Sequence, residues 1–175
     1  MKTIGKVVVT AAFSFAAAAL AADNQKNGSL AKQVAGAWTL TSLVLDQDGK
    51  KSEPYGPGAK GITIFSNGRA TVVITRAELP KFASNNRTMG TPEENKAVVA
   101  GSIAYFGAYE VDGDKTLHVH VEASTFPNWI GTDQQRKLEL SGDEMKFINK
   151  APSMGQGVVT ATWKRVKESR TTAER

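Results

Sequence analysis

GITIFSNGRATVVITR, residues 61–76, carries the clearest structural signal in the chain. Two runs rich in β-branched residues flank the pair Asn67-Gly68. Asn-Gly is the favoured pair for a type I′ turn, because both central residues of that turn need positive φ, and the turn joins two antiparallel strands. The stretch therefore predicts a β-hairpin and indicates an antiparallel sheet.

The same period-two pattern continues on both sides of this hairpin. Upstream it begins at Gly36 and runs through AWTLTSLVL. Downstream, turn residues around Gly113 and Gly142 join further strands as hairpins. The downstream strands are FGAYEV (106–111), TLHVHVEAS (116–124), QRKLEL (135–140), EMKFINK (144–150) and GVVTATWKRV (157–166). About eight strands at this spacing predict an all-β, eight-stranded antiparallel up-and-down barrel.

One helix is predicted between the third and fourth strands. Thr91 can serve as its N-cap, Pro92 suits the first helical position, and Glu94 completes a capping box. We expect the helix to end near Tyr105 to Gly107. Its apolar contacts are predicted to come from Ala97, Val98, Ala100 and Ile103.

The N-terminus has the pattern of a secretory signal peptide. Lys2 and Lys6 precede an apolar run that ends at Leu20, too short for the ~20 residues of a membrane-spanning helix. Small residues then fit a cleavage site before Ala22. We therefore expect a periplasmic or secreted protein without stable membrane insertion after cleavage. The predicted division is a signal peptide (1–21), a flexible lead (22–35), the barrel domain (36–166) and a basic tail (167–175).

Composition excludes several kinds of function. The chain has no cysteine, which removes disulfides, thiolate metal sites and a cysteine nucleophile. The net charge is +5, and loss of Lys2 and Lys6 with the signal lowers it to +3. The C-terminal residues 164–175 carry five basic and two acidic side chains, so the rest of the domain is about neutral. No nucleic-acid partner is expected.

The strand at residues 116–124 contains both histidines of the chain on one face. His118, His120 and Glu122 alternate with Leu117, Val119 and Val121. A two-residue turn at Gly113-Asp114 would pair Tyr109 with His118, placing this tyrosine beside the histidine face. Two interpretations stay open: the histidine face lines the barrel interior, or it faces solvent while the valine face forms the core.

The next strand points an arginine inward. Gln135, Lys137 and Glu139 form a solvent face, so Arg136 lies on the opposite face with leucines. An inward arginine needs a carboxylate from the protein or from a ligand, because a buried unpaired charge is costly. Glu122 is the nearest candidate in sequence. A cluster of His120, Glu122 and Arg136 inside the barrel is one hypothesis, and a structural ion pair at the end of the barrel is the other.

Two motifs carry a resemblance to known proteins. GAW at residues 36–38 resembles the Gly-x-Trp signature of lipocalins, and residues 82–147 resemble the bacterial and fungal lipocalin-like domain family, a group with calycin-like barrels. The matching motifs are GTPEE at the helix start, YFGAYEV, HVEASTFPNWIGTDQQR and the Gly-Asp hairpin that follows. The resemblance implies a lipocalin-like barrel and favours His120, Glu122, Asn128, Trp129, Asp133 and Arg136 as special positions.

We expect a protein that binds a small apolar or amphipathic molecule in the barrel lumen, rather than an enzyme, and predict no cofactor. Either Tyr105 or Tyr109 would add an aromatic wall. The predicted ligand-binding residues are Tyr109, His120, Glu122, Phe126, Asn128, Trp129 and Arg136.

Three alternatives remain open at this point. The first is a cofactor-independent isomerase or cyclase in which His120 and Glu122 act as general acid and base. The second is a metal site formed by His118, His120 and Glu122. The third is an envelope interaction protein whose barrel is filled by its own side chains. The sequence specifies no oligomeric state.

Overall fold

The computed structural model describes residues 30–167, so the predicted signal peptide and nearly all of the predicted basic tail lie outside the described residues. Residues 30–34 form a helical turn, and Val34 is buried against the barrel. Most of the predicted flexible lead, residues 22–29, also lies outside the described residues. Within residues 30–167, no helix is long and apolar enough to cross a membrane.

Nine antiparallel strands form one sheet in the order β2-β1-β3-β4-β5-β6-β7-β8-β9, and pairing of β1 with β9 closes it. The short strand β2 only extends the edge of β1, so eight strands make the barrel and the predicted fold is confirmed. The strands are β1 (Gly36–Gln47), β2 (Lys50–Ser52), β3 (Lys60–Ser66), β4 (Arg69–Thr75), β5 (Ser102–Val111), β6 (Thr116–Ser124), β7 (Asp133–Ser141), β8 (Glu144–Asn149) and β9 (Val158–Arg165).

The β3–β4 hairpin has the predicted turn. Ser66 pairs with Arg69, and the two residues between them, Asn67 and Gly68, have φ values of 50° and 73°. Both values are positive, as a type I′ turn requires. The local sequence therefore sets the register of this hairpin.

The two ends of the barrel differ. Short hairpins join β3 to β4, β5 to β6 and β7 to β8 at one end, which we call the hairpin end. Longer connections, residues 53–59, 76–101, 125–132 and 150–157, lie at the other end, the loop end.

Trp38 closes the hairpin end. It is fully buried, its Nε1 donates to the carbonyl of Val34 over 2.8 Å, and the Arg165 guanidinium lies 4.0 Å from the centre of its ring. A cavity inside the barrel is therefore expected to open at the loop end.

The helix begins as predicted and ends earlier. It spans Pro92–Ala100; Thr91 Oγ1 accepts from the Glu94 amide, and the Glu94 carboxylate accepts from the Thr91 amide. Gly101 caps its C-terminus, and Ile103 and Tyr105 already belong to β5, so the predicted end near Tyr105 to Gly107 is wrong. With the short β2 counted, the helix follows the fourth strand.

Few of the predicted helix contacts form. None of the residues in Pro92–Ala100 is buried. Ala97 and Val98 are half-buried, whereas Ala100 is exposed. Alternation of the kind seen in a strand continues through residues 102–111, and pairing with β4 outweighs helical propensity there.

The β5–β6 turn also differs from prediction. Three residues, Gly113 to Lys115, separate Asp112 from Thr116, and Lys115 has φ 59°. A three-residue turn ending in a left-handed residue shifts the register by one position relative to a two-residue turn. Glu110 therefore pairs with His118, and the predicted pairing of Tyr109 with His118 is wrong.

Candidate functional site

A cavity of about 60 Å³ lies at the loop end of the barrel. Its walls are mostly apolar and aromatic, and Pro152, Ser153 and Met154 of the β8–β9 loop form one side. The apolar wall residues include Val72, Ile74, Ile103, Phe147, Val159 and Ala161.

Arg136 on β7 brings a positive charge to this cavity. The residue is 7% exposed. Its Nη1 donates to the Gln135 carbonyl over 2.7 Å, and its Nη2 donates to Gln134 Oε1 over 3.3 Å. Both acceptors are neutral, and no carboxylate of residues 30–167 lies within 4.0 Å of the guanidinium. The charge is thus hydrogen-bonded but has no counter-ion in the described part of the chain.

Aromatic rings hold this guanidinium in place. The Arg136 guanidinium carbon lies 5.5 Å from the centre of the Trp129 ring, within the range of a cation–π contact. Trp129 lies in a 3₁₀ turn over Pro127–Trp129, and its ring meets those of Tyr105 and Phe126 edge-on at 5.3 Å and 5.7 Å. This packing fixes Trp129 at the cavity wall.

Two tyrosines also line the cavity. Tyr55 and Tyr105 are both buried, and burial raises the pKa of each phenol. The Arg136 guanidinium opposes this effect at Tyr105, although desolvation dominates. Both phenols are therefore protonated at neutral pH and can donate hydrogen bonds.

The polar wall of the cavity is rich in donors. The indole N–H of Trp163, a wall residue, is buried and has no hydrogen-bond partner among residues 30–167. Asn149 Oδ1, an acceptor, is already used by the Ala151 amide at 3.0 Å. Because buried donors without partners are costly, this wall is suited to a molecule that supplies acceptor oxygens.

The outer surface of β6 carries the histidines. His118 Nε2 lies 3.0 Å from Asp112 Oδ2, and His120 Nδ1 lies 2.9 Å from Asp133 Oδ1. Glu122 pairs with Arg69 of β4, and this contact lowers the pKa of the glutamate. Each of these side chains therefore has its own partner outside the barrel.

The sequence profile of a family described as "Lipocalin-like domain" matches residues 35–166. The match covers well over half of the chain and coincides with the closed barrel. The chain belongs to the lipocalin-like domain family. A relative from Aspergillus oryzae, named a 4'-hydroxy-3'-methoxypropiophenone carrier protein, is 26% identical over 103 residues, which cover 53% of this chain and 93% of the relative. Family membership and this similarity support ligand binding in general.

The predicted cluster of His120, Glu122 and Arg136 does not form inside this lipocalin-like barrel. Val119 and Val121 point to the core, so the histidine face points to solvent, whereas Arg136 points inward as predicted. Glu122 and Arg136 are close along the chain but lie on opposite sides of the barrel wall, and alternation in β6 alone is compatible with either face pointing inward.

The enzyme and metal-site hypotheses both rest on His120 and Glu122, which lie on the outer surface of the barrel. A general acid–base pair formed by these residues would act on the outer surface and not on a molecule in the barrel. His118, His120 and Glu122 each pair with a different residue, and among residues 30–167 no group of three His, Asp or Glu side chains is placed to hold a metal.

Of the predicted ligand-binding residues, Trp129 and Arg136 line the lipocalin-like cavity. Tyr109 packs against Phe65, with ring centres 4.9 Å apart, and is not part of the cavity wall. Phe126 supports Trp129 from behind, and Asn128 is exposed.

Sequence reasoning missed several cavity residues. Tyr105 was predicted only as an alternative to Tyr109 for the aromatic wall. A correct prediction of where the helix ends would have favoured Tyr105. Trp163 lies on the same face of β9 as Val159 and Ala161, so the alternation in β9 could have identified it. Tyr55 lies in a loop and Asn149 at the end of a strand, where alternation gives no signal.

Proposed function

We propose that this protein binds a small amphipathic molecule in the cavity at the loop end, with an oxygen of the molecule facing Arg136. The observation that carries the proposal is the buried guanidinium, which has no carboxylate within 4.0 Å in residues 30–167 and lies in an apolar, aromatic wall. Small-molecule sites typically combine an apolar lining with a few convergent polar groups.

The arrangement suggests how the molecule would lie. Its apolar part would contact Val72, Ile74 and Phe147, and its oxygen would accept hydrogen bonds from Arg136 and Tyr105. The related carrier from Aspergillus oryzae is named for an aromatic ketone. By analogy, oxygenated one-ring aromatics are the first candidates for this protein.

The size of the cavity adds a requirement. Its volume of about 60 Å³ is well below the ~150 Å³ of an engineered cavity that binds benzene. A one-ring molecule therefore needs one wall to move outward. The wall formed by Pro152, Ser153 and Met154 is a loop and not a strand, and Met154 is 38% exposed. Movement of this loop breaks no strand pairing, so we propose that the ligand enters the cavity past this loop.

The proposal also includes export. The signal-peptide pattern of residues 1–21 supports a periplasmic or secreted protein that meets its ligand outside the cytoplasm. Fractionation of expressing cells with N-terminal sequencing tests this part. We expect an exported chain beginning at Ala22; an intact N-terminus in the cytoplasm would contradict export and leave the binding proposal standing.

Isothermal titration with 4'-hydroxy-3'-methoxypropiophenone tests binding. Ala161→Leu adds volume to the cavity wall, and we expect it to weaken binding at least tenfold. Ala108→Leu is the matched control, because Ala108 is exposed on the outside of β5 and should bind as the wild type does. Circular dichroism verifies that both variants fold. Equal effects of the two substitutions would exclude the cavity as the site.

A further inference from the structure

We infer that the cavity prefers a small aromatic carboxylate, whose negative charge compensates Arg136. This inference rests on the proposed binding function and narrows the class of ligand. It concerns the charge of the ligand, which neither the fold nor the carrier relative specifies.

The charge of Arg136 is not compensated by the described part of the protein. Its side chain is buried, and its hydrogen-bond acceptors, the Gln135 carbonyl and Gln134 Oε1, carry no charge. A buried cation without a counter-ion is costly, and a bound anion removes that cost.

The neighbouring carboxylates do not supply the counter-ion. Asp133 begins the same strand but lies on the outer surface with His120, and Glu122 on β6 pairs with Arg69. Both acidic groups are bound on the outside of the barrel wall. The side of Arg136 that faces the cavity is therefore the side where a ligand can supply negative charge.

The residues that line the cavity carry several hydrogen-bond donors. A guanidinium has five N–H groups in a planar fork. Arg136 donates to the Gln135 carbonyl and to Gln134 Oε1, and its interaction with the Tyr105 hydroxyl engages a further N–H. Tyr105 and Trp163, which also line the cavity, carry further donors: a protonated hydroxyl and an indole N–H that has no partner in the described part of the chain. A carboxylate offers two oxygens with about four acceptor positions, whereas a ketone offers one oxygen. Carboxylates also form the stronger, charge-assisted bonds to arginine.

The aromatic lining and small size of the cavity suit a ligand with one ring. Trp129, Tyr105 and Phe147 present aromatic rings to a small cavity. Aromatic pairs gain from edge-on and offset contacts beyond the burial of area. The small volume favours a single ring over a long acyl chain.

Benzoate and benzamide provide the test, because they have nearly the same shape and differ in charge. We expect isothermal titration of the purified protein to show benzoate bound at least tenfold more tightly than benzamide. We expect Arg136→Met to remove the difference. Arg69→Met removes an arginine from the outer surface and should leave the preference intact.

Two measurements keep the outcomes separate. The preference of the wild-type protein is measured without any variant, so misfolding of Arg136→Met would not obscure it. Surface binding by the basic chain would weaken strongly with added salt, whereas a buried pair is screened much less. A preference that disappears at high salt would therefore overturn the inference.

The result also separates this inference from the proposed function. If benzamide or 4'-hydroxy-3'-methoxypropiophenone binds in the cavity as tightly as benzoate or more tightly, the charge preference is wrong and the binding function stands. If none of the three molecules binds, both fail.

Discussion

The guanidinium of Arg136 lies 5.5 Å from the centre of the Trp129 ring, where a 3₁₀ turn meets an apolar cavity at the loop end of the barrel. The contact joins β7 to the β6–β7 connection and directs the arginine towards the cavity. A cation–π contact retains the positive charge, so the arginine can be held in place and still bind an anion.

Replacing Arg136 by leucine should leave the fold intact. The guanidinium has no carboxylate within 4.0 Å in the described part of the chain, and replacing buried charge by an apolar side chain is often neutral or stabilising. We expect the free energy of unfolding to change by less than about 1.5 kcal/mol or to rise, measured by urea denaturation. A loss above ~3 kcal/mol would instead identify Arg136 as one half of a buried structural pair.

Replacing Trp129 by alanine should weaken both the fold and the site. Trp129 is half-buried and contacts Arg136, Tyr105 and Phe126. We expect a loss of about 2 kcal/mol in unfolding free energy, below the ~3–5 kcal/mol typical of fully buried aromatics. The neighbouring Ile130→Ala is the control, because Ile130 is 50% exposed and should cost little. Similar losses for both variants would show that Trp129 has no special packing role.

Replacing Gly107 by alanine should severely destabilise the barrel. A Cβ at this position would overlap the His120 carbonyl oxygen, where the pairing of β5 and β6 shifts register. We expect a loss of about 3 kcal/mol or more, because backbone has to move. Gly131→Ala is the control: its φ is +75°, and apart from its chain neighbours no described atom would lie within 4 Å of the added Cβ. Only the left-handed backbone therefore costs energy, about 1 kcal/mol. Equal losses in thermal or urea unfolding would contradict the close approach at Gly107.

The capping glutamate should contribute stability that depends on pH. Amides of Ala83 and Thr91 donate to the Glu94 carboxylate and lower its pKa from the ordinary value of 4.5. A lowered folded-state pKa stabilises the protein above the unfolded pKa, and the contribution is lost as pH falls through the folded pKa.

Glu94→Gln isolates this charge, because glutamine keeps an acceptor oxygen for the capping box. We expect the variant to be less stable than the wild type at pH 7, and the difference to shrink as the pH falls below about 4.5. Urea denaturation at several pH values measures it. A difference that stays constant down to pH 3 would show that the charge plays no part.

Truncating Met154 should speed ligand entry. Met154 lies in the loop wall of the cavity, and alanine there opens the mouth without touching a strand. We expect Met154→Ala to raise the association rate constant for benzoate a few-fold in stopped-flow fluorescence. Met89→Ala removes an exposed methionine far along the chain, in the loop before the helix, and should have no effect. An unchanged rate for Met154→Ala would assign entry to another part of the loop end.

Local features of the fold were predictable because neighbouring residues determine them. Asn67-Gly68 sets its own turn, and Thr91 with Glu94 caps the helix without help from the rest of the chain. The inward direction of Arg136 followed from alternation against Lys137 and Glu139, because solvent-facing charges define the opposite face.

The β5–β6 hairpin shows what could not be predicted. Two-residue and three-residue turns both suit the residues from Asp112 to Lys115, and the choice depends on Lys115 adopting positive φ. A shift of one position exchanges the two faces of a strand, so the location of Tyr109 relative to His118 depended on that choice. Cavity residues such as Tyr55 come together only when the barrel closes, and local sequence patterns do not predict which distant residues meet there.

The most direct test of the binding cavity uses the indole N–H signals of the three tryptophans in a ¹H–¹⁵N spectrum. Trp163 and Trp129 line the cavity, whereas the Trp38 N–H donates to Val34 at the hairpin end. Adding benzoate and, separately, 4'-hydroxy-3'-methoxypropiophenone should move the Trp163 and Trp129 signals and leave Trp38 in place. If saturating amounts of both molecules leave the Trp163 signal unmoved, the cavity is not the binding site.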